Sequence, residues 1–317
     1  MSNYDTLYPP FIAVVGPTAV GKTATAIRLC RAFEGEIISD DSRQIYRGLD
    51  IGTAKPTPDE QAAAAHHLID VVDPDRVLGL AEYQEMAYLA INDVLSRDKV
   101  AFLVGGTGQW VRGVIEGWRV PRVPPDYALR AELEAEAARA GPQALHARLA
   151  EVDSDAAARL DYRNVRRVIR ALEVYSKTGI PISQHQRAKP PPYCILQVGL
   201  TMPREMLYAR ADARVDRMVD KGLVAEVEAL LSQGYDLNLP AMSGLGYRQV
   251  GSYLAGQLDL EEAIHLIKKE THRFIRQQYN WFRLDDPAIH WLDMSGEFFA
   301  ALYNLVDRFL VGGNSSD

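Results

Sequence analysis

Short, unbroken apolar runs alternate along this chain with longer stretches of helical spacing, the arrangement expected of a parallel sheet covered by helices. Residues 11–15 (FIAVV), 36–39 (EIIS), 67–72 (HLIDVV), 100–104 (VAFLV), 193–200 (YCILQVGL) and 289–293 (IHWLD) read as strands. Over residues 81–97, Tyr83, Met86, Ala87, Ala90, Ile91, Val94 and Leu95 form a core-facing helical stripe. Further helices are predicted from the first glycine-rich turn to about residue 33, and over 203–218, 222–232 and 259–283. Residues 126–180 break the alternation: they are helical throughout, interrupted at Gly141-Pro142 and bounded by proline-rich stretches at 119–125 and 189–192. The expected organisation is an α/β core in two parts, residues 1–121 and 193–317, carrying a helical insertion at 122–192. The opening ten residues read as a loose lead-in and the final GGNSSD as a frayed tail.

The first strand runs into Gly16-Pro17-Thr18-Ala19-Val20-Gly21-Lys22-Thr23, and a helical segment follows. This is the strand–GxxxxGK[ST]–helix context of a phosphate-binding loop. Its glycines permit a tight turn whose amides converge on phosphate oxygens, and the helix adds its positive end. Lys22 can place a point charge there, and the Thr23 hydroxyl can ligate Mg²⁺. Asp40 and Asp41 close the second strand. Ligands of open α/β sheets bind beyond the carboxyl ends of strands, so one of these carboxylates should face the loop. The alternative is an Asp capping a short helix that contains Gln44-Ile45-Tyr46. Residues 47–60 read as a functional loop, in which Lys55 reaches either an anion or solvent. Gly105-Gly106-Thr107-Gly108 makes a second glycine-rich turn at the same sheet edge, and Thr107 is expected to line the site. No strand ends in the apolar-run-plus-Asp pattern of an ordinary Walker B, which counts against a standard ATPase. His66 and His67 are adjacent and so point apart, which argues against a shared metal.

Composition narrows the setting. With 47% hydrophobic and 24% charged residues among 317, the chain is an ordinary soluble globular protein. It shows neither a signal peptide nor a membrane span, and its two cysteines, Cys30 and Cys194, form no CxxC pair. A cytoplasmic protein with reduced thiols is expected. The net charge of −7 argues mildly against a surface coated in nucleic acid, yet residues 159–189 run to about +6. Arg163, Arg166, Arg167 and Arg170 recur there at helical spacing, while Val165, Val168, Ile169 and Leu172 can face a core. A solvated helix face usually mixes signs, so this stripe points to contact with a phosphate backbone.

The motifs resemble one family, the tRNA dimethylallyltransferases (tRNA isopentenyltransferases). The resemblance rests on GPTAVGKT at 16–23, DSRQIYRGLDIGTAKP at 41–56, HHLIDVVDP at 66–74, GGTGQW at 105–110, NVRRVIRALEVY at 164–175, RVDRMVDKGLVAEV at 214–227, GYRQVGSYLAG at 246–256 and QQYNWFR at 277–283. They are collinear and span nearly the whole chain. Two positions depart from the family pattern: His272 stands where an Arg is usual, and Arg276-Gln277-Gln278 replaces Lys-Arg-Gln. The zinc finger of eukaryotic members is absent, so the chain looks bacterial in type.

The resemblance implies a P-loop NTPase-like core and transfer of a dimethylallyl group from its diphosphate to N6 of the adenosine immediately 3′ of a tRNA anticodon. Residues 16–23 would hold the diphosphate, with Lys22, Mg²⁺ on Thr23, and Arg214 stabilising the departing charge. Asp41 matches the family's catalytic aspartate and would accept the amine proton. Ser42, Arg43, Gln44 and Thr107 would contact the nucleotide, and the insertion with its four arginines would grip the anticodon stem-loop of the tRNA. A monomer is expected. The competing readings are a P-loop kinase using ATP, a nucleotide-dependent RNA-binding switch, and prenylation of free adenine nucleotide; the arginine stripe argues against the last.

Overall fold

The computed structural model describes residues 8–185 and 188–312. Most of the lead-in, Arg187 of the basic run and the tail from residue 313 lie outside the described residues. In chain order the first part of the core contains β1 (Pro10–Val15), α1 (Lys22–Phe33), β2 (Gly35–Asp40), α2 (Pro58–Ala63), β3 (His66–His67), α3 (Leu80–Ser96), β4 (Val100–Gly105) and α4 (Gly108–Glu116). The helical segment follows with α5 (Tyr127–Ala140), α6 (Pro142–Val152), α7 (Ser154–Arg159), α8 (Val165–Thr178) and α9 (Ile182–His185). The core resumes with β5 (Cys194–Thr201), α10 (Arg204–Asp220), α11 (Leu223–Ser232), α12 (Tyr247–Leu254), α13 (Leu260–Trp281), β6 (Ile289–Asp293) and α14 (Phe299–Val311). The chain folds into two compact units, one of residues 1–115 with 192–317 and one of residues 116–191.

The larger unit is a single parallel sheet in the order β3-β2-β4-β1-β5-β6. Residues Phe11 to Val15 of β1 are fully buried, the environment that an unbroken apolar run in an inner strand requires. Register decides where the chemistry falls. Val15 lies opposite Gly105 on β4 and Gly199 on β5, and Asp40 lies opposite Gly105. The turns that leave β1, β2 and β4 therefore open side by side at one edge. Gly16, with φ of 145°, has no room for a Cβ, which would collide with the Leu200 carbonyl.

One predicted strand is much shorter than expected. Pairing with β2 covers only His66 and His67, because Leu68 and Asp70 take positive φ values of 62° and 55° and end it. An isolated bridge between Tyr46 and Val72 is what remains of residues 68–72. The two histidines do turn apart: His66 Nδ1 faces the Ala64 carbonyl, and His67 Nε2 meets Glu36 at 2.7 Å.

The smaller unit is a helical cluster whose core includes Leu133, Leu145, Leu149, Val168, Ile169 and Leu172. Gly141 ends α5, and Pro142 starts α6 in the first helical turn, where its missing N–H costs nothing. Glu173 on α8 is fully buried. It accepts two bonds from Arg130 at 2.8 Å each, one from Arg170 and one from the Asp126 amide at 2.7 Å.

Candidate active site

The phosphate loop is held open by backbone geometry and by its neighbours. Gly16, Ala19 and Gly21 all have positive φ, at 145°, 65° and 110°. Val20 is buried in the core and anchors the loop tip. Lys22 Nζ donates to the carbonyls of Gly16 at 3.0 Å and Pro17 at 2.8 Å, which ties it to the loop. Burial pulls the Lys22 ammonium down to about 8; Asp41 opposes that shift and Arg214 adds to it. Thr23 begins α1 and lines the cavity next to Lys22. Not every amide of the loop faces a ligand. The Thr18 amide is taken by the Gln278 side chain at 2.8 Å, which corrects the expectation that all amides of 16–23 converge on phosphate.

The two aspartates separate as extended backbone demands. Asp40 is fully buried and neither carboxylate oxygen has a hydrogen-bond partner among the described residues. Burial, reinforced by Asp41, drives its pKa well above the carboxylate range. Asp41 lines the cavity, and its Oδ1 accepts the amides of Arg43 at 2.9 Å and Gln44 at 3.3 Å. It caps a turn rather than a helix, because residues 42–48 never become helical.

Of the residues expected at the base, Ser42 and Thr107 are joined directly, the Thr107 hydroxyl accepting the Ser42 amide at 3.1 Å. Both line the same chamber. Arg43 lines that chamber as well and Gln44 the cavity beside it, and both are also bonded within the protein. The Arg43 guanidinium donates to the carbonyls of Pro240 and Ala241 and to Ser243 Oγ. Gln44 Nε2 donates to the carbonyls of Thr53 and Ala54, each at 3.2 Å. Lys55 is likewise neither an anion ligand nor solvated. It is buried and bonds the Tyr46 carbonyl and the carboxylates of Asp50 and Asp70. Arg214 on α10 donates to Thr18 Oγ1 and to the Thr53 carbonyl, both at 3.3 Å.

The insertion's arginines divide. Arg163, Arg166 and Arg167 are exposed, with Arg163 at 3.8 Å from Asp161. Arg170 bonds the buried Glu173 at 2.5 Å and so does not belong to a free stripe. Glu173 stands three residues on along α8, so this pairing is a local one that helical spacing allowed; what the spacing did not show is that Glu173 is buried.

Two adjoining cavities share Thr18, Ala19, Lys22, Asp41, Arg214 and Met218. One, of about 1340 Å³, opens along α10 and the loop at 56–61. The other, of about 310 Å³, has an apolar wall including Val215, Met218, Ile267 and Phe274. Three positioning residues escaped sequence reasoning. Gln278 bridges the two glycine-rich turns, its Nε2 donating to the Gly106 carbonyl at 3.0 Å. Its signal was a polar residue in register with Ile267, Thr271 and Phe274 on one helix face. Glu226 accepts the amides of Asp50, Ile51 and Gly52 at 3.1, 2.7 and 3.1 Å, and the Tyr247 hydroxyl at 2.6 Å. Neither a lone Glu nor a lone Tyr on a helix signals that clamp.

Sheet order and the glycine-rich loop after β1 define a P-loop-type α/β protein with a carboxylate beside that loop. The IPP transferase family model matches residues 44–285. A tRNA dimethylallyltransferase of Roseiflexus sp. (strain RS-1) is 56% identical over 274 residues, covering 86% of this chain and 90% of that one. One from Dehalococcoides mccartyi is 46% identical over 304 residues, covering 96% and 94%. The solved tRNA isopentenylpyrophosphate transferase of Bacillus halodurans is 39% identical with a TM-score of 0.71, covering 96% and 97%. A eukaryotic dimethylallyltransferase acting on tRNA, at 24% identity and a TM-score of 0.81, shares the fold. The chain belongs to the IPP transferase family, the tRNA dimethylallyltransferases.

Proposed function

We propose that this protein transfers a dimethylallyl group from dimethylallyl diphosphate to N6 of the adenosine 3′-adjacent to the anticodon of tRNA, releasing diphosphate. The observation that carries the reading is the meeting of Lys22, Asp41 and an apolar wall in one connected space. A phosphate loop alone would suit many nucleotides; an apolar chamber beside it suits an isoprenoid.

The loop's remaining amides, Lys22 and Arg214 hold the diphosphate and stabilise the charge that grows on it as the allylic C1–O bond breaks. N6 of adenine attacks C1 as that bond breaks. Its lone pair is delocalised into the ring, so removal of its proton aids the attack. Asp41 accepts that proton, its carboxylate fixed in place by the Arg43 and Gln44 amides. Ser42 and Thr107 line the path of the flipped base. The donor chemistry fits Mg²⁺: the Thr23 hydroxyl is a hard oxygen donor that lines the cavity beside Lys22, and substrate phosphates and water would supply the other ligands. The Thr23 hydroxyl would hold the ion, which would add Lewis-acid stabilisation of the diphosphate.

Arg163, Arg166 and Arg167 are assigned to phosphates of the anticodon stem-loop, and the helical unit is the part that grips it. The enzyme works as a monomer in the cytoplasm on this reading. Among the described residues no helix is long and apolar enough to cross a membrane.

The test is mass spectrometry of nucleosides after incubation of unmodified tRNA with the protein, Mg²⁺ and dimethylallyl diphosphate. One dimethylallyl group on the adenosine following the anticodon is expected. A phosphorylated product from ATP, or prenylation of free AMP in preference to tRNA, would defeat the reading.

A further inference from the structure

We propose that Arg210, Arg217 and Lys221 form an anion track along α10 that draws the diphosphate to the phosphate loop and receives it after the reaction. This rests on the reading of residues 16–23 as the diphosphate site. Arg210, Arg214, Arg217 and Lys221 follow one another at intervals of four, three and four residues, which places them on a single helix face. All four line the cavity of about 1340 Å³ that also contains Lys22 and Thr23. Arg214 touches the loop through Thr18 Oγ1, and the Arg210 guanidinium lies beside Gly21, 3.6 Å from where a Cβ would stand. From there the track leads past Arg217 to Lys221, opposite the loop at 56–61.

The cations are available for an anion. Arg210, Arg217 and Lys221 are exposed and make no ion pair among the described residues. Of the cavity's four acids, Asp50 and Asp70 are committed to Lys55 and Glu60 to its capping box with Thr57, while Asp41 sits at the phosphate-loop end, held by the Arg43 and Gln44 amides. On α10 itself, Asp212 meets His272 and Asp216 meets Lys268. Like charges three and four residues apart destabilise a helix by a few tenths of a kcal/mol each. The helix dipole favours cations near the C-terminal end and accounts for Arg217 and Lys221, but not for Arg210 in the first half. A ligand bearing several phosphate charges accounts for all of them. In a chain of net charge −7, such a track also focuses the anion locally where the overall field would repel it.

RNA phosphates share this chemistry, so the experiment separates the two sources. Inhibition by inorganic diphosphate, donor KM, kcat and tRNA affinity would be measured against salt for the wild type, each single glutamine variant, and the triple variant Arg210→Gln/Arg217→Gln/Lys221→Gln. Circular dichroism verifies folding, and the single variants stand in if the triple variant does not fold. The expected result is a rise of roughly tenfold in the diphosphate inhibition constant and in donor KM for the triple variant, with a shallower salt dependence. Each single variant gives a smaller rise in the same direction. kcat changes less than about twofold, and tRNA affinity and its salt slope stay put. Unchanged diphosphate inhibition and donor KM would overturn the proposal, as would a loss confined to tRNA affinity. Lys22→Ala serves as the separate control. If it leaves diphosphate inhibition intact, the phosphate-loop reading itself fails, whatever the track variants do.

Discussion

The side-chain oxygen of Gln278 accepts the backbone amide of Thr18 at 2.8 Å, tying the last turn of α13 to the phosphate loop. Through its nitrogen the same side chain holds the Gly106 carbonyl, so one buried amide sets the spacing between the donor turn and the turn that carries Thr107. A Cβ at Gly106 would collide with that nitrogen, so the glycine is needed for the contact. Truncation leaves the buried Gly106 carbonyl without a partner, at about 1–3 kcal/mol, and frees the part-buried Thr18 amide. Gln278→Ala should therefore lower the melting temperature and reduce kcat/KM for the donor by roughly tenfold or more. Wild-type kcat/KM in a stable variant would show that the two turns keep their spacing without it.

Lys22 makes the donor site sensitive to alkaline pH. Its ammonium, lowered to about 8 by burial, is the form that binds diphosphate. It is charged below that value and neutral above it. kcat/KM for the donor, which reports the free enzyme, should thus fall as pH rises through about 8. Lys22→Arg keeps its charge across the whole range and should remove this limb, at a lower plateau because the guanidinium does not fit the same carbonyl contacts. A limb that persists unchanged in Lys22→Arg assigns the titration to another group.

The arginines of α8 should separate into two phenotypes. Removing Arg166 or Arg167 is expected to weaken tRNA binding and lower its salt slope by roughly one unit for each phosphate no longer neutralised, without affecting stability. Arg170→Ala should instead destabilise the helical unit, because it removes a partner from the buried Glu173 carboxylate. Removing the carboxylate itself, as in Glu173→Ala, should cost about 3–5 kcal/mol. Burial raises the Glu173 pKa, but the bonds from Arg130, the Asp126 amide and Arg170 outweigh it and hold the group at about 2. Its stabilisation is then complete above the ordinary value of about 4.3 and fades as pH falls towards about 2. Thermal unfolding between those pH values, wild type against Glu173→Ala, checks the sign: the gap between them must narrow on acidification.

How far the sequence carried depends on whether an interaction is local. β1, β2, β4 and β5 were legible because strands covered on both faces become apolar runs, and the phosphate loop was legible because its backbone demands glycine at set positions. The short β3 was not. Two left-handed residues and a buried Lys55 reaching Asp70 end it, and all three are tertiary choices. Arg43 and Gln44 line the cavities as the motif suggested, but their bonds to Pro240 and Thr53 exist only in the fold. Arg170 pairs with Glu173 three residues on, and only the fold shows that this carboxylate is buried. Alternation along a strand, which needs no tertiary information, said only that one of Asp40 and Asp41 faces the loop; the resemblance of the surrounding motif assigned that role to Asp41.

That alternation yields the sharpest test of the chemistry. Asp40 is sealed in the core, where burial raises its pKa, and it lines neither cavity, so it has no route to the adenine amine. Asp41 faces the chamber, and its Oδ1 is fixed by two amides. Asn at 41 keeps the amide contacts through its carbonyl but cannot take up a proton. Asp41→Asn should therefore bind tRNA and donor normally while the chemical step slows by roughly 10²–10⁴-fold. Asp40→Asn keeps the shape of a side chain that lines neither cavity, and should change the single-turnover rate by less than about threefold. The measurement is a single-turnover time course with pre-bound tRNA for both variants. A dead Asp40→Asn beside a fully active Asp41→Asn would move the base one residue back along β2, into a site that adenine could reach only if the sheet edge opened.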